Sequence, residues 1–273
     1  MGLFNREKRE ITDFESIANC IKKMTEKDMF FLEFEEGEAS LFESKLGGVP
    51  YWTSGESFPV GSDGNYMSLL LQLEFNGGLL QFFISNNSTG GLNYDNAEDQ
   101  SGFKIVFHKT VDKSITESDV LKLGMPLMPM DDDTFSPVRK EARVKLTAGK
   151  DYIKPSNYNF NNYFKKAVLE LTGEDIKDAI PYDYFGEEKA ERFYSLFEEG
   201  KSKLYGYPSF TQEDSRTFVG DMDYYNTLLL QLDSDLKSGI LMWGDSGEAN
   251  FIINEKALEE LDFSRVLYNW DCF

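Results

Sequence analysis

One histidine, His108, and two cysteines, Cys20 and Cys272, are the whole of the imidazole and thiol chemistry available to this 273-residue chain. A single histidine rules out a His-rich metal site and a two-histidine zinc motif, and it leaves little room for a Ser-His triad. His108 closes the apolar run "FKIVFH", where a structural role outweighs that of a general base. The cysteines stand in no metal-binding or C-x-x-C spacing and read as small core side chains.

Among the polar residues, Gln72 and Gln231 stand out because each interrupts the same apolar run, "LLLQL". A buried glutamine must find hydrogen-bond partners or cost about 1–3 kcal/mol. As braces, the two would fasten the loops that begin at Lys45 and Lys203; as a pair they would form the polar floor of a ligand cleft. "WGDSGEANF" offers Trp243 and Asp245. A calcium loop through Asp233 and Asp235 fails, because Lys237 and Ser238 occupy positions that an EF-hand reserves for a ligand and a glycine. "GDSG" matches the surroundings of a serine-protease nucleophile over four residues only, and Asp245, Ser246 and Gly247 read more simply as a hairpin turn. Glu187-Glu188, Glu198-Glu199 and Glu259-Glu260 fall in expected helices, where neighbouring side chains diverge and make solvated faces. The run Asp131 to Asp133 could collect a cation, with a loose acidic loop as the default. The candidate binding residues are therefore Lys45, Trp52, Gln72, Gln231, Trp243 and Asp245; no catalytic residue, metal ligand or cofactor is assigned.

The elements that must position these residues come in matching sets. "SKLGGVP" at Ser44 to Pro50 returns as "SKLYGYP" at Ser202 to Pro208, and "YMSLLLQLEF" returns as "YNTLLLQLDS" at Tyr225. "GLLQFF" at Gly78 faces "GILMWG" at Gly239, in the same order and at a nearly constant offset. This pattern predicts an internal duplication with a period far too long for a solenoid. Each copy reads as a Gly-Pro loop followed by a β-hairpin, the first with Asn76-Gly77 as its turn.

Around the hairpins, the apolar spacing predicts a helix over 12–27 opened by a Thr12/Glu15 capping box, then two strands over 28–42 with a turn at Glu36-Gly37. Strands are expected at 103–108 and 142–147, helices at 158–171 and 187–199, the latter closed by Gly200, and a short helix after Asn254. The final strand should turn Val266, Tyr268, Trp270 and Cys272 to one face. The expectation is an α+β fold of internally duplicated, mainly antiparallel β units with flanking helices. It forms one compact unit over 1–273, with a first repeat over about 29–123, a connector over 124–137 and a second repeat over 138–273.

Charge narrows the partners. With 48 acidic against 28 basic residues the net charge is −20, which repels nucleic acid and anionic lipid alike. No segment has the apolar length of a membrane span or signal peptide, so a cytoplasmic location is expected. A partner of opposite charge, a basic protein, is the natural expectation, and Tyr51 and Trp52 are the aromatics expected to be exposed for it.

These motifs together resemble the YwqG-like family, a bacterial family of unknown function. The resemblance is carried by "KLGGVP" at Lys45 to Pro50, Phe58-Pro59, "LLLQL" followed by "GLLQFF", and "YDNAEDQSGFKIVFH" at Tyr94 to His108. Near the C-terminus "LLLQLDSD" and "MWGDSGEANFII" match as well. Phe58 stands where the family often has Trp before the proline. The resemblance implies a duplicated α+β fold in a cytosolic protein and brings no reaction with it. The leading expectation is a non-catalytic binding protein, in one form a toxin-neutralising, immunity-like protein, since YwqG-like genes occur near secreted-toxin systems. The alternative is a hydrolase with a carboxylate-based site in the cleft between the halves, which needs two acids converging from distant segments. A third possibility, an assembly subunit, requires a large apolar patch.

Overall fold

The structure, a computed structural model, describes residues 14–128, 135–197 and 201–273. Ten strands form one antiparallel sheet: β1 (Lys27–Glu36), β2 (Lys45–Leu46), β3 (Ser68–Phe75), β4 (Gly78–Ile84), β5 (Phe103–His108), β6 (Ala142–Asp151), β7 (Lys203–Tyr205), β8 (Thr227–Asp233), β9 (Glu248–Ile253) and β10 (Leu267–Asp271). Their spatial order is β10-β9-β8-β7-β1-β6-β2-β3-β4-β5. The long β1–β6 pair lies at the centre, with four strands on either side.

The sheet curls until its two ends share a core, and the result is nearly a barrel. Phe82 and Phe103 from one end meet Phe251 from the other with ring centroids 5.0 and 5.9 Å apart, and Phe251 stacks on Tyr268 at 4.6 Å. Strands β3, β4, β8 and β9 are buried along nearly their whole length, so they read as continuous apolar runs. Closing the sheet over large aromatic side chains removes their area from water, the main favourable term in folding.

A second core lies among α1 (Phe14–Thr25), α3 (Phe160–Thr172) and α5 (Glu187–Tyr194). Ile17, Ala18 and Ile21 bury one face of α1 at helical spacing, against Phe164, Ala167 and Val168 of α3 and Phe193 of α5. Three shorter helices complete the set: α2 (Glu117–Leu121), α4 (Pro181–Phe185) and α6 (Glu255–Glu259). Asn254 caps α6 by accepting from Lys256 N, and Gly173 closes α3 in the left-handed conformation.

The Asn76-Gly77 hairpin turn joins β3 to β4 with both residues at positive φ, 46° and 78°. Val266, Tyr268 and Trp270 share the core of the sheet as expected, but β10 runs only over Leu267–Asp271 and stops short of Cys272. Three expectations change. Residues 38–42 do not form a second strand after β1, because both edges of β1 are already taken by β6 and β7. "GILMWG" is not the partner of β8; that place belongs to "EANFII" in β9, and residues 239–244 instead bulge across to residue 138 through the Val138–Leu241 bridge. The helix over 187–199 stops at Tyr194. Thr12, the Asp131–Asp133 run, Glu198, Glu199 and Gly200 lie outside the described residues.

The central strands also exchange sides. β1, which precedes the first "SKL" motif, pairs with β7 of the second; β6, which precedes the second motif, pairs with β2 of the first.

Candidate functional site

The two "SKL-x-G-x-P" motifs fold alike. Lys45 pairs in register with Gln72 and Lys203 with Gln231, and β3 and β8 each carry a register shift just before the glutamine. Gly48 and Gly206 both take positive φ beside a carboxylate, Glu141 for the first and Asp151 for the second. A side chain there would be strained and would meet that carboxylate.

Both glutamines are fully buried and fasten the following loop. Gln72 Oε1 accepts from Tyr51 N at 3.0 Å while its Nε2 donates to Leu41 O and Glu43 O. Gln231 Oε1 accepts from Ser209 N at 2.9 Å and its Nε2 donates to Ser209 Oγ. Lys203 forms a buried ion pair with Asp151 at 2.8 Å, and Lys154 meets the other oxygen of Asp151 at 2.9 Å. Burial alone would raise the Asp151 carboxyl, but these two ammonium groups hold it below its usual range. Among the described residues Lys45 has no such partner within ion-pair distance; its Nζ donates to Val49 O at 2.8 Å, and burial brings its pKa down to about 8. Tyr51 and Trp52 are not exposed aromatics. At 1% and 3% exposure they pack against His108 and Phe83, because the Gln72 brace pulls their loop onto the sheet. Trp243 is buried against Trp270, and Asp245 is exposed in the turn closed by the Trp243–Gly247 bridge. Lys45, Trp52 and Gln72 thus gather in one half, Gln231 in the other, and of the six only Trp52 lines one of the large cavities, of about 570 Å³.

A different cleft, of about 520 Å³, opens between the loop at 92–98, the segment at 212–220 and the end of β10. Its walls are fixed from both sides. Trp270 Nε1 donates to Thr89 O at 2.6 Å, Tyr268 OH to Gly90 O at 2.8 Å and Tyr268 N to Ala97 O at 2.9 Å, so β10 holds the loop. Opposite, Asp214 and Arg216 form a buried ion pair at 2.6 Å, and Asp214 also caps the 3₁₀ turn that carries Ser215.

Among the described residues four acids line this cleft, Asp95, Glu98, Glu213 and Asp271, and no Lys, Arg or His does. Tyr94 and Phe218, 76% and 73% exposed, stand at its rim. Ser215, almost wholly buried in its wall, has a hydroxyl with no hydrogen-bond partner. Glu98 accepts from Tyr225 OH and from Arg265 Nε at 2.9 Å, which keeps its carboxyl ionised. At the floor, Asp271 faces Glu248 across the β9–β10 pair. Burial raises both carboxyls, which favours a single proton held between Glu248 and Asp271, while Thr211 donates its N–H to both residues and its hydroxyl to Glu248. Sequence reasoning missed this pair and the rim aromatics. Glu248 and Asp271 sit on separate strands, and only the register brings them together.

An acidic, aromatic-rimmed cleft attracts cations: the carboxylates supply charge and the ring faces supply a quadrupole. Among the described residues, no group of three His, Cys, Asp or Glu side chains could hold a metal ion. Nor is any described helix long and apolar enough to cross a membrane.

Fold and site define an α+β protein built on a nearly barrel-shaped antiparallel sheet with an acidic cleft at the junction of its two ends. Residues 44–272 match the family described as a domain of unknown function, DUF1963, and the chain belongs to that family. No curated protein matches the chain.

Proposed function

We propose that this chain is a non-catalytic binding protein that receives a positively charged side chain of a basic protein partner in the cleft between residues 92–98, 212–220 and 269–271. The observation that carries this reading is the lining itself: four carboxylates, no base, and Tyr94 and Phe218 exposed at the rim. The centre of the sheet differs in having basic partners beside its acids. Along β1 and β6, Glu36 meets Lys140 at 2.9 Å, Glu35 meets Arg143 at 3.1 Å and Asp28 meets Lys150 at 2.7 Å. Neutralisation of a basic toxin is one form this binding would take, in keeping with the narrower YwqG-like assignment that we favour. The matching motifs, braces and register shifts of the two halves support their origin in an internal duplication.

The test is calorimetric titration with a tetra-arginine peptide at low and moderate salt. Wild-type protein should bind in a salt-sensitive manner, and the Tyr94→Ala/Phe218→Ala variant should bind about tenfold more weakly. Equal binding by the two proteins would remove this reading.

Carboxylate-based hydrolysis in the same cleft is the second reading, favoured by the proton-sharing Glu248–Asp271 pair. Against it, Glu248 is 5% exposed and both its oxygens are engaged by Thr211. Glycan or peptide hydrolysis abolished by Asp271→Asn would establish it.

A further inference from the structure

The cavity of about 570 Å³ beside β5 is a separate site, and its polar groups are set by a relay that runs inward to the backbone. Gln72 is oriented by the two carbonyls it donates to, so its Oε1 is an acceptor, and Gln81 Nε2 donates to it at 2.8 Å and to Tyr51 O at 2.8 Å. The Gln81 Oε1 left over lies 2.9 Å from His108 Nε2 and must accept there. His108 therefore carries its proton on Nε2, and its Nδ1 is a lone pair. That lone pair lies 3.4 Å from Glu56 Oε2. Burial lowers the His108 pKa, which favours the neutral ring. Two acceptors then face each other with no proton between them, an arrangement completed by a donor from outside.

The rest of the cavity says what else such a donor must carry. Trp52, Val60 and Met67 give it an apolar wall. Lys104 and Lys109 also line it; both are exposed, and no ion pair holds either among the described residues. Lys104, Val106 and His108 alternate along β5 and so share one face. Four residues of strand separate the Lys104 and His108 Cα atoms by about 13 Å. The lysine stem spans part of that distance, and one small zwitterion held by two charge-assisted hydrogen bonds of about 2.8 Å fits the remainder.

We infer that this cavity binds a free amino acid with an apolar side chain, its ammonium on His108 Nδ1 and Glu56, its carboxylate towards Lys104 and Lys109, and its side chain on Trp52 and Met67. Wall residue Gln100, whose Nε2 donates to Phe263 O while its Oε1 has no partner, leaves a further acceptor unmet at the same place.

Because His108 is the only histidine, its ring nitrogens can be followed by ¹⁵N NMR without ambiguity. L-Phenylalanine should perturb the Nδ1 resonance saturably. Phenethylamine, which lacks the carboxylate, and 3-phenylpropionate, which lacks the ammonium, should each bind about tenfold more weakly. Glu56→Gln should weaken L-phenylalanine by about the same factor, and Lys104→Met should erase its advantage over phenethylamine. Both positions are exposed enough for folding to be retained, and the Nε2–H signal of His108 reports that the relay is intact. An unperturbed His108 at millimolar L-phenylalanine, or equal binding of all three compounds, overturns the inference. So does a free-protein spectrum showing the proton on Nδ1.

Discussion

The end of β5 and the end of β10 occupy matching places in the sheet and carry opposite chemistry. Gln72 pairs with Gln81 and Gln231 with Asn250; two residues earlier on the inner strand, Leu79 faces His108 and Glu248 faces Asp271. One end therefore presents a neutral base beside a surface glutamate, and the other a pair of acids sharing a proton. The frame beneath them is shared: a buried lysine, a left-handed glycine beside a carboxylate, and a glutamine that fastens the next loop. Even within the frame the halves differ, because Lys203 has Asp151 as its counter-ion whereas Lys45 has a carbonyl. The parts that hold the loops down recur, and the parts that face the cavities do not.

That comparison can be broken at its strongest point first. Asp151→Asn removes the carboxylate that the buried Lys203 and Lys154 share and should cost about 3–5 kcal/mol of stability in urea unfolding. Glu141→Gln, on the glycine-facing side of the other half, should cost far less, since among the described residues no lysine lies within ion-pair distance of it. Equal losses would show that the two lysines sit in the same kind of site after all.

The glutamine braces should follow. Gln72 joins four partners, Tyr51 N, Leu41 O, Glu43 O and Gln81 Nε2, so Gln72→Ala should cost about 3 kcal/mol, and Gln231→Ala, with fewer close partners, about 2 kcal/mol. Near-ultraviolet circular dichroism should change more for Gln72→Ala, because its loop carries Tyr51 and Trp52.

The acid pair gives a smaller effect with a definite sign. Glu248 has its pKa raised by burial, so the folded state holds a proton that the unfolded state releases at neutral pH. Its contribution is complete below the unfolded carboxyl value and is lost as pH rises through the folded one. Glu248→Gln keeps the neutral form at every pH and should raise the melting temperature at pH 8 more than at pH 5; Glu248→Ala should lower it at both. A Glu248→Gln effect that does not vary with pH would contradict the shared proton.

Smallest is the acid limb from His108. Its pKa is depressed by burial, so its contribution is present above the ordinary value of 6.5 and declines as pH falls below it. His108→Gln should flatten the stability profile between pH 6.5 and 5 while leaving the acidic limb from the carboxylates in place.

Much of this frame is legible in the sequence. The repeated "SKL-x-G-x-P", the glutamine inside each "LLLQL" and the Asn76-Gly77 turn all announce local geometry, which residue type and spacing determine. What the sequence conceals is what the strands decide between them. "GILMWG" has the apolar content of a strand, but β9 takes the position, with Asn250 opposite Gln231 in its register. Tyr51 and Trp52 look like free aromatics until the brace draws them inward, and Glu248 and Asp271 are unremarkable acids until β9 and β10 align. The exchange of β1 and β6 between the halves is invisible for the same reason: pairing between residues so distant in sequence leaves no local mark.

The claim that the acidic cleft is the binding surface is tested most directly by an amide ¹H–¹⁵N titration with tetra-arginine at moderate salt. The account predicts saturable shifts confined to residues 92–98, 212–220 and 269–271, with the β1–β6 ladder unmoved. Shifts spread along the acidic ladder, or absent from the cleft at saturation, would contradict it.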